Sequence, residues 1–171
     1  MKNKKLITVI IVLAIITIFL GYLNMRGMDT TAKDDGTVTF VSGEDAVKLS
    51  FEEITALSAY EFKAVEDTSS SGPASRKFRG VLLKDALNKA SYSDEIIGKA
   101  SKVLVKGLDG YVVALAVDEV LSGDSVYLAF EKDGKPLGNM KRGGSGPFQM
   151  IARSDSFSQR WCKYVTEVKL E

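Results

Sequence analysis

An uncharged run of 18 residues, Leu6 to Leu23 (LITVIIVLAIITIFLGYL), limits what this chain can become more than any other feature. As a helix rising about 1.5 Å per residue it is about 27 Å long, enough for the hydrocarbon core of a bilayer. It has no polar face, so it does not fit a helix half-buried at the edge of a soluble core. Lys2, Lys4 and Lys5 precede it, and only Arg26 follows closely. The positive-inside bias then leaves residues 1–5 as a basic cytoplasmic tip and places the rest of the chain outside. A cleaved signal peptide usually has an apolar stretch of about 7–15 residues with a small-x-small site directly after it. Here the run is longer, Gly21 to Met25 offers no such site, and Thr30-Thr31-Ala32 fits weakly and too far downstream. The expectation is a retained single-pass anchor over residues 6–23, with a cleaved signal and a secreted domain as the alternative.

Composition narrows the remainder. The 171 residues contain no histidine and one cysteine. That excludes His-based triads and His-ligated metals, an internal disulfide, a CxxC pair and a Cys-rich zinc cage. Without the basic tip, 20 basic residues face 22 acidic ones, a net charge of −2. Such a domain lacks the positive field that nucleic-acid binding needs. With no disulfide available, stability must come from a packed core.

Residues 24–36 are polar and read as a linker, leaving 37–171 as one domain. Thr37–Val41 and Ala46–Ser50 alternate as short strands, and Ser50 with Glu53 forms a capping-box pattern that predicts a helix to about Leu57. Tyr60–Asp67 reads as a strand and Thr68–Lys77 (TSSSGPASRK) as a loop. The spacing of Val81, Leu82, Leu83, Ala86 and Leu87 predicts a helix over Gly80–Ala90. Strands are expected over Lys102–Lys106 and Tyr111–Ala116, a helical turn over Val117–Leu121, and strands over Ser125–Glu131, Phe148–Ala152 and Cys162–Leu170. Arg142–Pro147 reads as a Gly-rich loop. Many short strands with a few short helices mean α+β, with mainly β mixed sheets.

In order along the chain, six segments resemble landmarks of the molybdopterin-binding domain of the sulfite oxidase family. They are Phe78-Arg79-Gly80-Val81-Leu82-Leu83-Lys84-Asp85-Ala86-Leu87, Asp109-Gly110-Tyr111, Val126-Tyr127-Leu128-Ala129-Phe130, Asp133-Gly134-Lys135-Pro136-Leu137, Gly144-Ser145-Gly146-Pro147-Phe148-Gln149-Met150-Ile151, and Arg160 to Val168 around Trp161. Together they span about residues 45–171. The resemblance implies that family's fold, an oxidoreductase background, and a pterin (molybdopterin-like) cofactor lying among the loops. It also implies a metal-ligating cysteine in the loop before the G-V-x-L segment, where this chain has Thr68-Ser69-Ser70-Ser71-Gly72-Pro73. A hydroxyl is a poor soft ligand beside a thiolate, so molybdenum loses its expected anchor. Gln149 stands where the family pattern has arginine.

The candidate cofactor-binding residues are the hydroxyls of Ser69, Ser70 and Ser71, the cations Arg76, Lys77, Lys141 and Arg142, and the turn Gly143, Gly144 and Ser145. Free backbone N–H groups over Gly143–Gly146 could cradle a phosphate or a pterin edge, with Arg153 a further cation. The competing reading makes the cations solvated surface charges and the glycines a plain turn. Cys162, on the closing strand, reads as a small buried hydrophobe. Asp109 reads as a turn cap, and Asp118-Glu119 as a helix start. Three functions compete. The first is a membrane-anchored extracytoplasmic domain binding a pterin or another anionic small molecule without thiolate-ligated molybdenum, serving as a binding module or in electron transfer with a redox partner protein. The second is a ligand-free fold acting as a surface protein-interaction module. The third is an oxidoreductase with serine as an unorthodox metal ligand.

Overall fold

A computed structural model describes residues 10–17, 19, 35–68 and 72–171. The chain divides into two units, Met1–Ala32 and Lys33–Glu171. In the first, residues 10–17 and 19 are helical, and the rest of the expected 6–23 span lies outside the described residues, as does the linker over 24–34. Among the described residues no helix is long and apolar enough to cross a membrane.

The second unit is built on two mixed or antiparallel sheets. The first has the order β2-β1-β10-β5-β6, from β1 (Val38–Ser42), β2 (Asp45–Leu49), β5 (Val103–Gly107), β6 (Val112–Leu115) and β10 (Val165–Leu170). In it β10 lies parallel to β1 and antiparallel to β5, so the two ends of the domain meet mid-sheet. The second has the order β3-β4-β7-β8, from β3 (Ala59–Thr68), β4 (Gly72–Leu82), β7 (Val126–Lys132) and β8 (Lys135–Pro136), with β9 (Gln149–Ala152) also paired to β7. The helices are α1 (Phe51–Thr55), α2 (Leu83–Lys89), α3 (Asp94–Lys99) and α4 (Val117–Leu121). The expected α+β class, mainly sheet with short helices, is what the described residues form.

The larger core joins Phe40, Ile54, Leu83, Leu87, Val105, Leu128, Phe148 and Val168. A second apolar cluster of Phe62, Phe78, Tyr127, Leu137, Ile151 and Trp161 covers one face of the second sheet. Strand alternation explains the split, since neighbours such as Leu128 and Ala129 enter different clusters. The α1 start is as expected: Ser50 Oγ accepts from the Glu53 N–H, and Glu53 Oε2 accepts from the Ser50 N–H at 2.8 Å.

Two expected elements are corrected. Residues 72–77 are not a loop, because they pair with β3 in register from Thr68↔Gly72 to Lys63↔Lys77. Backbone ladder bonds do not depend on side-chain propensity, so a Ser/Gly/Pro-rich stretch pairs once its partner strand is in place. The helix expected over Gly80–Ala90 starts only at Leu83, because Gly80, Val81 and Leu82 pair with Ala129, Leu128 and Tyr127. Gly80 permits this: a Cβ there would lie 2.5 Å from Leu128 O. Sequence reading also gave no element for α3, which Ser93 caps by accepting from the Ile96 N–H.

Candidate functional site

The turn at 138–146 is held by its own backbone. Residues 140–142 form a short 3-10 turn capped by the Asn139 side chain and closed by Gly143 at φ 70°. The Gly143 N–H donates to Met140 O at 3.0 Å, Gly144 N–H to Asn139 O at 3.0 Å, Ser145 N–H to Leu137 O at 3.2 Å and Gly146 N–H to Gly138 O at 2.8 Å. The free N–H groups expected over 143–146 are therefore already used. Gly144 is required by contact, since a Cβ would lie 2.4 Å from Gly138 O and Leu137 O. Tyr164 closes the turn from the other side, donating its hydroxyl to Gly144 O at 2.6 Å. Ser145 is buried by this packing, whereas Lys141 and Arg142 are exposed.

The other half of the expected site lies on the β3–β4 hairpin, where Ser69, Ser70 and Ser71 fall outside the described residues. Arg76 lies 3.5 Å from Asp133 and 3.9 Å from Glu66, its buried Nε making no hydrogen bond among the described residues. Lys77 pairs with Glu61 at 2.7 Å and thereby holds that carboxyl below the usual range. Glu66 is buried and also takes both bonds of Lys132, at 3.1 and 3.2 Å. Arg76 and Lys77 thus answer carboxylates of their own hairpin and its neighbours. β4 lies on one edge of β7, and β8 with its following turn lies on the other. Gly72, at the hairpin end of β4, is six residues before Phe78, the position opposite Lys132, which is about 20 Å along the strand. Among the described residues Arg76 and Lys77 find their partners in Glu66, Asp133 and Glu61, and make no hydrogen bond or ion pair with Lys141, Arg142 or the 143–145 turn.

Cys162 is fully buried in the larger core, as expected of a small hydrophobe. Burial, helped by the nearby Asp109 charge, pushes its thiol up to about 12. Its Sγ sits where a Cβ on Gly107 would come within 3.3 Å, so the β5 turn is fitted around the sulfur. Gln149 is 1% exposed, and its Oε1 has no hydrogen-bond partner among the described residues. Asp109 caps its turn by accepting the Tyr111 N–H at 3.0 Å. Asp118 and Glu119 lie in the first turn of α4.

Two polar clusters had no sequence signal, because each joins a partner far along the chain, Glu119 41 residues from Arg160 and Asp124 29 from Arg153. Arg160 donates to Glu119 at 2.7 and 3.1 Å and to Asp155, and these two carboxylates raise its pKa further. It borders a shallow depression of about 230 Å³ with Asp155, Ser156, Phe157 and Gln159. Arg153 sits 2.6 Å from Asp124, which also accepts the Tyr127 hydroxyl. Burial and that carboxylate raise Tyr127 to about 12. Arg153 is thereby engaged by Asp124. Among the described residues no group of three His, Cys, Asp or Glu side chains is placed to hold a metal.

Comparison with known proteins gives a family match over residues 40–171 to the oxidoreductase molybdopterin binding domain. No curated protein matches the chain. Among solved structures, the fold is similar to that of the sulfane dehydrogenase SoxCD from Paracoccus pantotrophus, with a TM-score of 0.63 at 17% identity. The match covers 80% of this chain and 38% of that one, so this chain spans well under half of the solved protein's length.

Proposed function

Because the chain belongs to the oxidoreductase molybdopterin binding domain family, we propose that it is a membrane-anchored, extracytoplasmic member that works as a protein-interaction module, without thiolate-ligated molybdenum. The observation that carries this reading is the placement of the chain's one thiol. Cys162 is buried in the core, and burial pushes its thiol up to about 12, which disfavours the thiolate further still. A thiol so placed supports the reading without thiolate-ligated molybdenum. Three further features agree. The backbone donors of 143–146 are spent inside their turn, Arg76, Lys77 and Arg153 are paired with carboxylates, and Gln149 is neutral and enclosed. The anchor rests on the uncharged run 6–23 and its flanking lysines.

A second reading keeps a pterin or another anionic small molecule, as the family's cofactor suggests. It is favoured by Lys141 and Arg142, which are exposed beside the Gly143 turn and form no ion pair among the described residues. One experiment separates the two. The full-length protein, purified in detergent from molybdenum-supplemented cells, is assayed for metal by mass spectrometry and for pterin by fluorescence after oxidation. The expected result is neither at stoichiometric level, with no rise in melting temperature on adding pterins. Molybdenum near one atom per chain overturns the proposal, and pterin without metal establishes the second reading.

A further inference from the structure

Among the described residues of the second unit five large apolar side chains are exposed, and three of them meet. Tyr111, Val112 and Phe157 are each 46–49% exposed, and the strap over residues 155–160 joins them. Three successive residues of that strap are pinned to three different elements. The Ser158 hydroxyl donates to Asp67 O of β3 and accepts the Asp67 N–H, both at 2.9 Å. Gln159 O accepts the Tyr111 hydroxyl at 2.9 Å, just ahead of β6. Arg160 donates to Glu119 of α4 and to Asp155 of the strap itself. Phe157 lines the shallow depression beside Gln159 and Arg160, so its ring and that of Tyr111 share one surface. Single exposed apolar residues need no account, but aromatic rings gathered beside a fixed arginine have the composition of an interface centre.

The charge around those rings is one-sided. Asp67 sits at the Ser158 pin, Asp109 caps the turn into Tyr111 at 3.0 Å, and Asp118 precedes Glu119 in the first turn of α4. These three carboxylates are exposed and form no ion pair among the described residues. Glu119 and Asp155 share the single charge of Arg160. Lys163, beside the Asp109 turn, supplies one more cation. Five carboxylates against two cations leave this surface at a net charge of −3. The neighbouring charges cancel in pairs, Arg153 with Asp124 and Lys132 with Glu66, while Lys106, opposite Val112, is itself opposite Glu167.

We propose that this face docks a basic segment of a partner protein. An apolar side chain of that segment seats on Phe157 and Tyr111, and its lysines or arginines meet Asp67, Asp109 and Asp118. Charge complementarity selects this occupant. A second copy docked by the same face would set carboxylate against carboxylate, which costs affinity. The free carboxylates hang from β3, from the β5–β6 turn and from α4, so one small cation cannot meet them all, whereas cations spaced along a polypeptide can. The two kinds of group divide the work: the aromatic centre sets how tightly the segment is held, and the exposed carboxylates set how fast it arrives and how strongly salt opposes it. This inference rests on the reading of the domain as a protein-interaction module and gives that module its partner's chemistry.

The full chain in neutral detergent provides the test, titrated with the fluorescent peptide Lys-Leu-Lys-Phe-Lys-Leu-Lys and with its counterpart carrying glutamate at every lysine. Empty micelles are the blank. Saturable one-to-one binding of the basic peptide is expected, weakening as salt is raised, with none of the acidic one. Phe157→Ala is expected to weaken that binding about tenfold. The variant carrying both Asp67→Asn and Asp118→Asn is expected to weaken it in low salt and to lose most of the salt dependence. Both variants should keep the melting temperature of the parent, because these side chains are exposed. No saturable binding, equal binding of the acidic peptide, or binding that both variants leave intact overturns the proposal. Metal content keeps the two conclusions apart. Molybdenum near one atom per chain, with the expected peptide result, overturns the reading without thiolate-ligated molybdenum and supports the docking face, whereas a chain free of metal and pterin that ignores the basic peptide overturns the docking face alone.

Discussion

At the scale of single residues, the sulfur of Cys162 decides most. Its place among Gly107, Tyr111 and Lys163 makes it packing material, and burial holds its thiol far above the ordinary range. A folded-state pKa raised to about 12 means that the thiol's contribution to stability is complete below the unfolded thiol's pKa. It is lost as pH climbs from about 9 towards 12, so the protein should be weakened by alkali and indifferent to mild acid on this account. At pH 8 the native protein is expected to resist a thiol reagent that labels the urea-unfolded chain completely. Rapid stoichiometric labelling of the native state would show that the sulfur is accessible. That Cys162 is buried was readable from its position beside Trp161. The Arg160 pairs to Glu119 and Asp155 were not, because nothing local in Arg160-Trp161-Cys162 signals a carboxylate 41 residues away.

At the scale of elements, local rules succeeded where the cause was local. The Ser50–Glu53 capping box and the Val117–Leu121 turn formed over the residues expected. Replacing Ser50 with alanine removes one half of that box and should cost about 1 kcal/mol, read as a lower urea midpoint with unchanged slope. No change at all would mean that burial of Ile54, not the cap, holds α1 in place. Local rules failed where partners lie far along the chain. Residues 72–77 look like a loop from composition and become strand because β3 offers ten paired positions. Val81 and Leu82 carry helical spacing, yet β7 takes them into the sheet. The candidate site was only half legible for the same reason. Its residues could be named from motifs, but the carboxylates that Arg76 and Lys77 meet, Glu66, Asp133 and Glu61, are set by strand pairing, which is a long-range property.

At the scale of the molecule, residues 33–171 form one compact unit with its own cores. Removing residues 1–32 is therefore expected to leave a domain with a single cooperative transition at the melting temperature of the full chain, followed by circular dichroism. A large drop would mean that the first unit contributes to the fold. The central place of β10 has a further consequence, for the order of events in synthesis. β1 and β5 have no common neighbour until Val165–Leu170 is available, so the first sheet closes only when the last six-residue strand has emerged. Contacts of such long sequence separation form late and slowly. Until that strand pairs, the β1–β2 and β5–β6 hairpins stay separate, with their apolar faces open to unwanted partners.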